Sequence, residues 1–128
     1  MQYDTGKIDK GWGYELVFAN NESYCGKLLV FERAGATTSM MFHKTMKKSW
    51  IVSEGSFKLS YVETTTGRVF ESVLEKGGIV HLTNLSPHRL EALEDSSVIF
   101  ETGTGDPGES DRVRIGPGDT QKRPPEPI

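Results

Sequence analysis

The chain has 128 residues, of which 35% are hydrophobic and 26% charged, and its formal net charge is −3. A chain of this length forms one domain with a real core. The composition excludes a disordered chain and shows no basic excess of the kind that binds nucleic acid. The single cysteine, Cys25, excludes an intrachain disulfide and is typical of a reducing compartment.

The N-terminal segment 1–13 has no apolar core of the kind that a secretory signal needs. The longest apolar runs, such as "KLLVF", are far too short to span a bilayer. We therefore expect a cytoplasmic protein without a membrane or nucleic-acid partner.

Runs rich in β-branched and aromatic residues recur along the chain and are separated by turn residues such as Asn20-Asn21, Glu54-Gly55 and Thr66-Gly67. They predict strands at 14–19, 24–32, 49–55, 56–63, 67–74, 78–83, 88–93 and 96–101. Apolar residues at helical spacing do not extend far enough anywhere to predict a helix. Short strands at this spacing are typical of an antiparallel sandwich or barrel.

The composition changes near the C-terminus, where the sequence "GPGDTQKRPPEPI" is rich in Gly and Pro and has little to bury. We predict a β domain over residues 1–115 and a Gly/Pro-rich tail over 116–128.

Two histidines stand out within the strand pattern. Residues i and i+2 of a strand face the same side, so Met41 and His43 can both face the interior. An antiparallel neighbour that carries His88 can bring the second imidazole close to them. Two imidazoles inside an apolar barrel form a polar spot of the kind where small ligands bind.

The spacing of Gly35, His43 and Gly55, followed by Gly77 and His88, resembles the two sequence motifs of the cupin superfamily. The segments "GWGYELVFANNESYCGKLLVFERAG", "SPHRLE" and "FETGTGDPGESDRVRI" are similar to the cupin domain of type II mannose-6-phosphate isomerases, including the bifunctional guanylyltransferase/isomerases. The resemblance covers roughly residues 11–115. It implies an all-β fold made of a single cupin-type antiparallel β-barrel, or jelly roll.

The same resemblance places Met41, His43, Lys48 and His88 at the four metal-ligand positions of that family. A thioether is a poor ligand for Zn²⁺, Mn²⁺ or Mg²⁺, and an ammonium repels a metal ion. We therefore expect no cofactor and no metal. The alternative is a metal held by His43 and His88 alone, which is fewer ligands than a tight site uses.

In place of a metal, Lys48 is a candidate for stabilising negative charge on a substrate, with His43 or His88 as the general base. These three residues are the predicted catalytic set. The alternative, which the sequence leaves open, is that Lys48 begins a strand and points to solvent.

The resemblance also implies substrate-binding residues. Lys27 and Arg114 are candidates for binding a phosphate, with an exposed lysine and a salt bridge to Glu109 or Asp111 as the respective alternatives. The full predicted substrate-binding set is Lys27, Ser39, Met41, Tyr61, Glu101 and Arg114.

Together these residues predict a cupin of carbohydrate metabolism that binds a small carbohydrate. If it is an enzyme, it would isomerise or epimerise a sugar phosphate or nucleotide sugar by proton transfer. The alternative is a non-catalytic barrel that binds a sugar or only dimerises. The resemblance implies a homodimer that pairs through edge strands or the N-terminal segment.

Overall fold

The computed structural model describes residues 3–118. Eleven strands and one 3₁₀ turn, Glu109–Asp111, make up the regular structure of this part of the chain, which contains no α-helix. The strands are β1 Gly6–Lys10, β2 Gly13–Asn20, β3 Cys25–Phe31, β4 Met40–His43, β5 Lys48–Glu54, β6 Phe57–Glu63, β7 Arg68–Leu74, β8 Ile79–Leu82, β9 His88–Ala92, β10 Ser97–Gly103 and β11 Arg112–Gly116. No helix in this range could cross a membrane.

The strands form two antiparallel sheets. One sheet has six strands in the order β1-β2-β3-β10-β5-β8, and the other has five in the order β11-β4-β9-β6-β7. The hydrogen bonding does not close them into one continuous barrel, so the architecture is a jelly roll of two facing sheets. The predicted all-β, antiparallel fold is confirmed.

The core lies between the two sheets. Alternation decides which residues reach it: along β3, Leu29 and Phe31 are buried while Leu28 and Val30 are less so. The ring of Phe31 stacks on Trp12 at a centroid distance of 4.3 Å and meets Phe57 edge-on at 5.0 Å. These aromatic contacts hold together elements that are far apart in the sequence.

The eight predicted ranges leave out three of the observed strands. β4 was expected only from the shared side of Met41 and His43, whereas β1 and β11 were not expected. β1 has one apolar residue, Ile8, and β11 alternates charged Arg112 and Arg114 with Val113 and Ile115. Each is a strand because a neighbour supplies its hydrogen bonds, β2 for β1 and β4 for β11. β11 ends at Gly116, one residue into the predicted tail, and residues 119–128 of that tail lie outside the described range.

Strand register brings polar residues of both sheets to one place. In the six-stranded sheet, Lys27, Glu101 and Trp50 are side by side on adjacent strands. In the five-stranded sheet, Met41 lies between Arg114 and His88. Since the inner faces of the sheets oppose one another, these two rows border the same interior space.

Candidate functional site

A small cavity lies between the two sheets, and the space inside it that water can reach is about 60 Å³. Its lining comes from eight strands and two loops. The lining residues are Lys10, Trp12, Glu15, Lys27, Leu29, Thr38, Ser39, Met41, His43, Lys48, Trp50, His88, Leu90, Glu101, Arg112 and Arg114. The three predicted catalytic residues are therefore together in one cavity.

Lys48 points into this cavity and not to solvent. It is the first residue of β5, and its side chain is only 9% exposed. The Nζ atom lies 3.0 Å from His43 Nε2, 3.6 Å from Glu101 Oε1 and 5.1 Å from the centre of the Trp50 ring. Burial lowers the pKa of Lys48, whereas the Glu101 carboxylate opposes that shift.

The geometry assigns a tautomer to His43. An ammonium on Lys48 can only donate to Nε2, so the ring proton belongs on Nδ1. Nδ1 lies 3.3 Å from Asp111 Oδ2, although it is not aligned for a hydrogen bond. Burial and the nearby Lys48 charge lower the pKa of His43 to about 2, so this ring is neutral near pH 7.

Asp111 is held in place by the loop that connects β4 and β5. Its Oδ1 accepts hydrogen bonds from the Thr45 backbone N–H and hydroxyl at 2.9 and 2.6 Å, and its Oδ2 accepts one from the Met46 N–H at 3.1 Å. The carboxylate therefore fixes both the loop and the side of the cavity where His43 lies.

His88 is the second neutral imidazole. Its Nδ1 donates to the Ser86 carbonyl oxygen at 2.8 Å, which leaves Nε2 without a proton. Burial and Lys48 lower the pKa of His88 to about 3. The ring lies 6.3 Å from the His43 ring and 5.5 Å from the Trp50 ring, measured between centroids. The unprotonated Nε2 makes His88 the better-placed general base, because Lys48 already engages Nε2 of His43.

Glu101 connects the two buried lysines. Its Oε1 accepts a hydrogen bond from Trp50 Nε1 at 2.8 Å, and its oxygens lie 3.6 Å from both Lys48 Nζ and Lys27 Nζ. Burial favours the neutral acid, but Lys48, Lys27 and the Trp50 indole outweigh it and lower the pKa of Glu101. Glu101 is therefore a buried carboxylate that balances the cations around it.

Lys27 is buried among three carboxylates rather than exposed. Its Nζ lies 2.8 Å from Asp106 Oδ2, 3.3 Å from Glu15 Oε1 and 3.6 Å from Glu101 Oε2. Burial lowers its pKa, but the three carboxylates outweigh burial and raise it above the ordinary lysine value. Because its ammonium already has these partners, Lys27 is poorly placed to bind a phosphate.

Two arginines of β11 are further charged residues that line the cavity. Arg112 contacts Asp106 Oδ2 at 2.9 Å and Glu109 Oε1 at 3.3 Å. Arg114 forms a bidentate pair with Glu109, at 2.6 and 3.0 Å, and also lines the cavity. Glu109 is 63% exposed, so water already weakens this pair. An anionic ligand could replace Glu109 at Arg114 with little cost.

The remaining predicted residues divide into two groups. Ser39 and Met41 are buried and line the cavity. Tyr61 does not: it lies near the outer end of β6, is 39% exposed, and stacks on Phe70 with ring centroids 5.5 Å apart. The assignment of Tyr61 to the interior site is therefore corrected, because the side chain lines a different pocket, with Leu59 and Leu82, and not the cavity that contains the two histidines.

Sequence reasoning also missed several residues that line the cavity or pair with its charged side chains. Glu15 and Trp50 were seen only as members of strands, while Asp106, Asp111 and Arg112 lie within the "TGDPGESDRVRI" segment that carried the family resemblance. Partners such as Lys27 and Asp106 are 79 positions apart in the chain. The available signal was the density of charge in that segment, since five of its residues are charged in an otherwise β-rich region.

A divalent metal, which the fold family implies, does not fit these residues. No group of three or more His, Cys, Asp or Glu side chains within residues 3–118 could hold a metal ion. The Lys48 ammonium contacts His43 Nε2, the nitrogen that would face a metal, and Met41 lines the same space. Cationic and thioether groups at these positions disfavour a hard or borderline divalent ion.

No protein-family model matches the sequence, and no curated protein sequence matches it either. The structure does have relatives. Oxalate decarboxylase from Bacillus subtilis, solved at pH 4.6, aligns with a TM-score of 0.74 and 21% identity over 88% of this chain and 30% of its own. The capsular polysaccharide assembling protein CapF from Staphylococcus aureus aligns with a TM-score of 0.73 and 16% identity, over 91% of this chain and 34% of its own.

Both of these proteins have the cupin fold. So does this chain. It spans about a third of the length of either relative. At these identities the similarity concerns the fold, and the chemistry of the cavity must be argued from its own residues.

Proposed function

We propose that this cupin binds a small anionic carbohydrate, a sugar phosphate or a nucleotide sugar, and isomerises or epimerises it by proton transfer without a metal. His88 acts as the general base and Lys48 as the group that stabilises negative charge. The observation that carries the proposal is the neutral His88, with an unprotonated Nε2, beside the Lys48 ammonium in a buried cavity.

The charge of the lining supports an anionic ligand. Within the described residues, five cationic side chains line the cavity and only two carboxylates, Glu15 and Glu101, do so. The other carboxylates that balance these cations, Asp106, Asp111 and Glu109, are not among the lining residues. An anion that enters therefore meets a positive surface.

The proton-transfer step follows from this arrangement. His88 Nε2 takes a proton from the carbon next to the substrate carbonyl, and the C–H electron pair forms a carbon–carbon double bond. The carbonyl oxygen gains the negative charge, which Lys48 stabilises through its N–H groups. Return of the proton to the former carbonyl carbon gives the isomer, provided that the hydroxyl group on the second carbon passes its proton to the first oxygen and becomes the new carbonyl. Return of the proton to the opposite face of the original carbon gives the epimer.

The bound substrate must raise the pKa of His88 for this ring to act as the base. A pKa near 3 makes His88 a weak base in the empty cavity, since the Lys48 charge and burial both oppose its protonation. A substrate phosphate nearby would raise the pKa of His88 because negative charge favours the imidazolium form. The cavity is also small compared with the roughly 300–1,000 Å³ of typical ligand sites, so only the reacting end of the substrate enters it.

The test is solvent-deuterium incorporation, followed by NMR, in a panel of sugar phosphates and nucleotide sugars. Wild-type protein should exchange the carbon-bound proton next to the carbonyl of its substrate. His88→Asn should lower the exchange rate by about 10²- to 10⁴-fold, because it removes the base while an amide N–H can still donate to Ser86. His81→Asn is the matched control, since that histidine is exposed and outside the cavity. Equal rates in both variants would refute the assignment of His88.

The second candidate is a non-catalytic barrel that binds a carbohydrate. It is favoured by the ion pairs of Lys27, Arg112 and Arg114, which already use much of the positive charge. In that case no sugar in the panel exchanges a proton, and His88→Asn changes only binding or stability. The fold, the reducing compartment that the lone Cys25 suggests and a cytoplasmic location suit both candidates.

A further inference from the structure

One exposed carboxylate, that of Glu109, receives three cationic side chains at the edge of the cavity. Arg114 binds both of its oxygens, at 2.6 and 3.0 Å, and Arg112 Nη1 lies 3.3 Å from Oε1. Lys10 Nζ lies 4.0 Å from the same Oε1. We call Lys10, Arg112 and Arg114 the cation cluster. All three line the cavity, whereas Glu109 does not, so Glu109 meets them from the solvent side.

The cation cluster has little other compensation for its charge. Within residues 3–118, Glu109 is the one acidic residue found in a salt bridge with Lys10 or Arg114. Arg112 has a second partner, Asp106, at 2.9 Å. The Lys10 side chain is only 13% exposed, and its 4.0 Å contact is too long for a hydrogen bond. Burial lowers the pKa of Lys10, which indicates that the nearby carboxylates compensate its ammonium only in part.

A carboxylate is a poor match for three cations. It has two oxygens, and Arg114 already uses both of them in a bidentate pair. A phosphate group has three terminal oxygens and a charge of about −1.5 to −2 near pH 7. It can bind Arg114 in the same bidentate way and still direct an oxygen toward Lys10. The cation cluster therefore suits a phosphate better than it suits the Glu109 side chain.

Glu109 can leave the cation cluster without unfolding the segment around it. The backbone is fixed on both sides: Asn20 exchanges two hydrogen bonds of 2.9 Å with the backbone of Asp106, and the Asp111 carboxylate accepts the Thr45 and Met46 N–H groups. Rotation of the Glu109 side chain toward water is therefore sufficient. The Arg114 hydrogen bonds lower the pKa of Glu109 to about 2, so the carboxylate stays ionised and can return.

We infer that the cation cluster is a binding site for a phosphate group, and that Glu109 is an internal counter-ion which the phosphate displaces. Before a ligand binds, Glu109 holds the arginines in position. During binding it competes with the ligand, so that weaker anions such as carboxylates are excluded. The inference rests on the proposed function for the class of ligand, a phosphorylated sugar, but the exchange is a binding event and needs no turnover. The sequence analysis predicted only Arg114 at this place.

The experiment is isothermal titration calorimetry of the full chain with inorganic phosphate, near neutral pH and at constant ionic strength. Glu109→Gln should bind phosphate at least about tenfold more tightly than the wild type, because it removes the competing charge and leaves the three cations in place. Glu71→Gln is the matched control. Its carboxylate is 56% exposed, against 63% for Glu109, and also pairs with a lysine, but it lies on β7 at the opposite edge of the sheet from β11. This variant should bind phosphate like the wild type.

Two double variants locate the site. Lys10→Gln or Arg114→Gln, each added to Glu109→Gln, should remove most of the tenfold gain, and circular dichroism checks that each protein remains folded. Glucose 6-phosphate and UDP-glucose, titrated in the same way, distinguish a phosphate monoester from a diphosphate. Only a ligand whose phosphate contacts the cation cluster should show the gain in Glu109→Gln.

Four results would overturn the inference. They are equal phosphate affinity, or none, in the wild type and Glu109→Gln; the same gain in Glu71→Gln, which would be a general effect of net charge; a gain that survives both double variants; and a gain with neither phosphorylated sugar. The expected phosphate binding without proton exchange in any sugar would instead refute the proposed chemistry and leave this site in place.

Discussion

At the scale of single residues, the cavity is organised by Glu101. This carboxylate is buried, receives the Trp50 N–H, and lies within 3.6 Å of both Lys27 and Lys48. Lys27 has two further carboxylate partners, but Lys48 has Glu101 as the one anionic partner found for it in the described residues. The position of the Lys48 ammonium, and with it the tautomer of His43, therefore depends on Glu101.

Glu101→Gln should show this dependence. The change leaves two buried ammonium groups short of a compensating charge, so we expect a loss of about 3–5 kcal/mol in the free energy of unfolding, measured with denaturant. Glu91→Gln is the control, because its pair with Lys58 is partly exposed and should contribute less than about 1 kcal/mol. If both variants lose the same small amount, the interior ion pairs do not stabilise the fold.

At the scale of elements, turns decide how strands of the two sheets meet. Gly55 joins β5 to β6 with a φ of +72°, which side-chain-bearing residues rarely adopt. An added Cβ at this position would lie against the Ser97 side chain at the start of β10. The turn therefore needs glycine for two reasons, its backbone angle and its close approach to another strand.

Gly55→Ala and Gly67→Ala separate these two reasons. Gly67 has a φ of +74° but nothing within 4 Å of an added Cβ, so Gly67→Ala should cost only the backbone strain of about 1–2 kcal/mol. Gly55→Ala should cost more, because the methyl group also displaces Ser97. Thermal or denaturant unfolding measures both. Equal costs would mean that Ser97 moves aside freely.

At the scale of the whole molecule, stability should depend on pH through the two interior histidines. Burial lowers the pKa of His43 to about 2 and of His88 to about 3, below the ordinary value of about 6.5 for an unfolded chain. At pH values between these folded-state and unfolded-state pKa values, the histidines of the unfolded chain bind protons that those of the folded protein do not. The contribution of neutral histidines is thus fully present above about pH 6.5 and is lost as the pH falls.

We therefore expect the free energy of unfolding to decrease as the pH falls from about 6.5 to 5. The slope of this free energy against pH should approach the value for two protons bound on unfolding. Carboxylates contribute little in this window, since they titrate at lower pH. His88→Asn should reduce the slope to about one proton, which denaturant titrations at several pH values can resolve. A slope that the substitution leaves unchanged would show that His88 is protonated in the folded state.

The sequence by itself determined most of the strands and which residues share a face of a strand. Alternation is a local property, so the shared inward side of Met41 and His43 could be predicted from the chain. Strands β1 and β11 could not be found in this way. Their charged residues hide the alternation, and they are strands because β2 and β4 pair with them.

Only the tertiary structure decided the electrostatics of the cavity. Lys48 lies at a strand boundary, where sequence leaves its direction open, and its contacts with His43 and Glu101 settle that direction. Lys27 meets Asp106 across 79 positions, and Tyr61 falls outside the cavity although its neighbours on β6 are buried. The physical reason is that an ion pair depends on distance in space, which long-range strand pairing sets and local pattern does not.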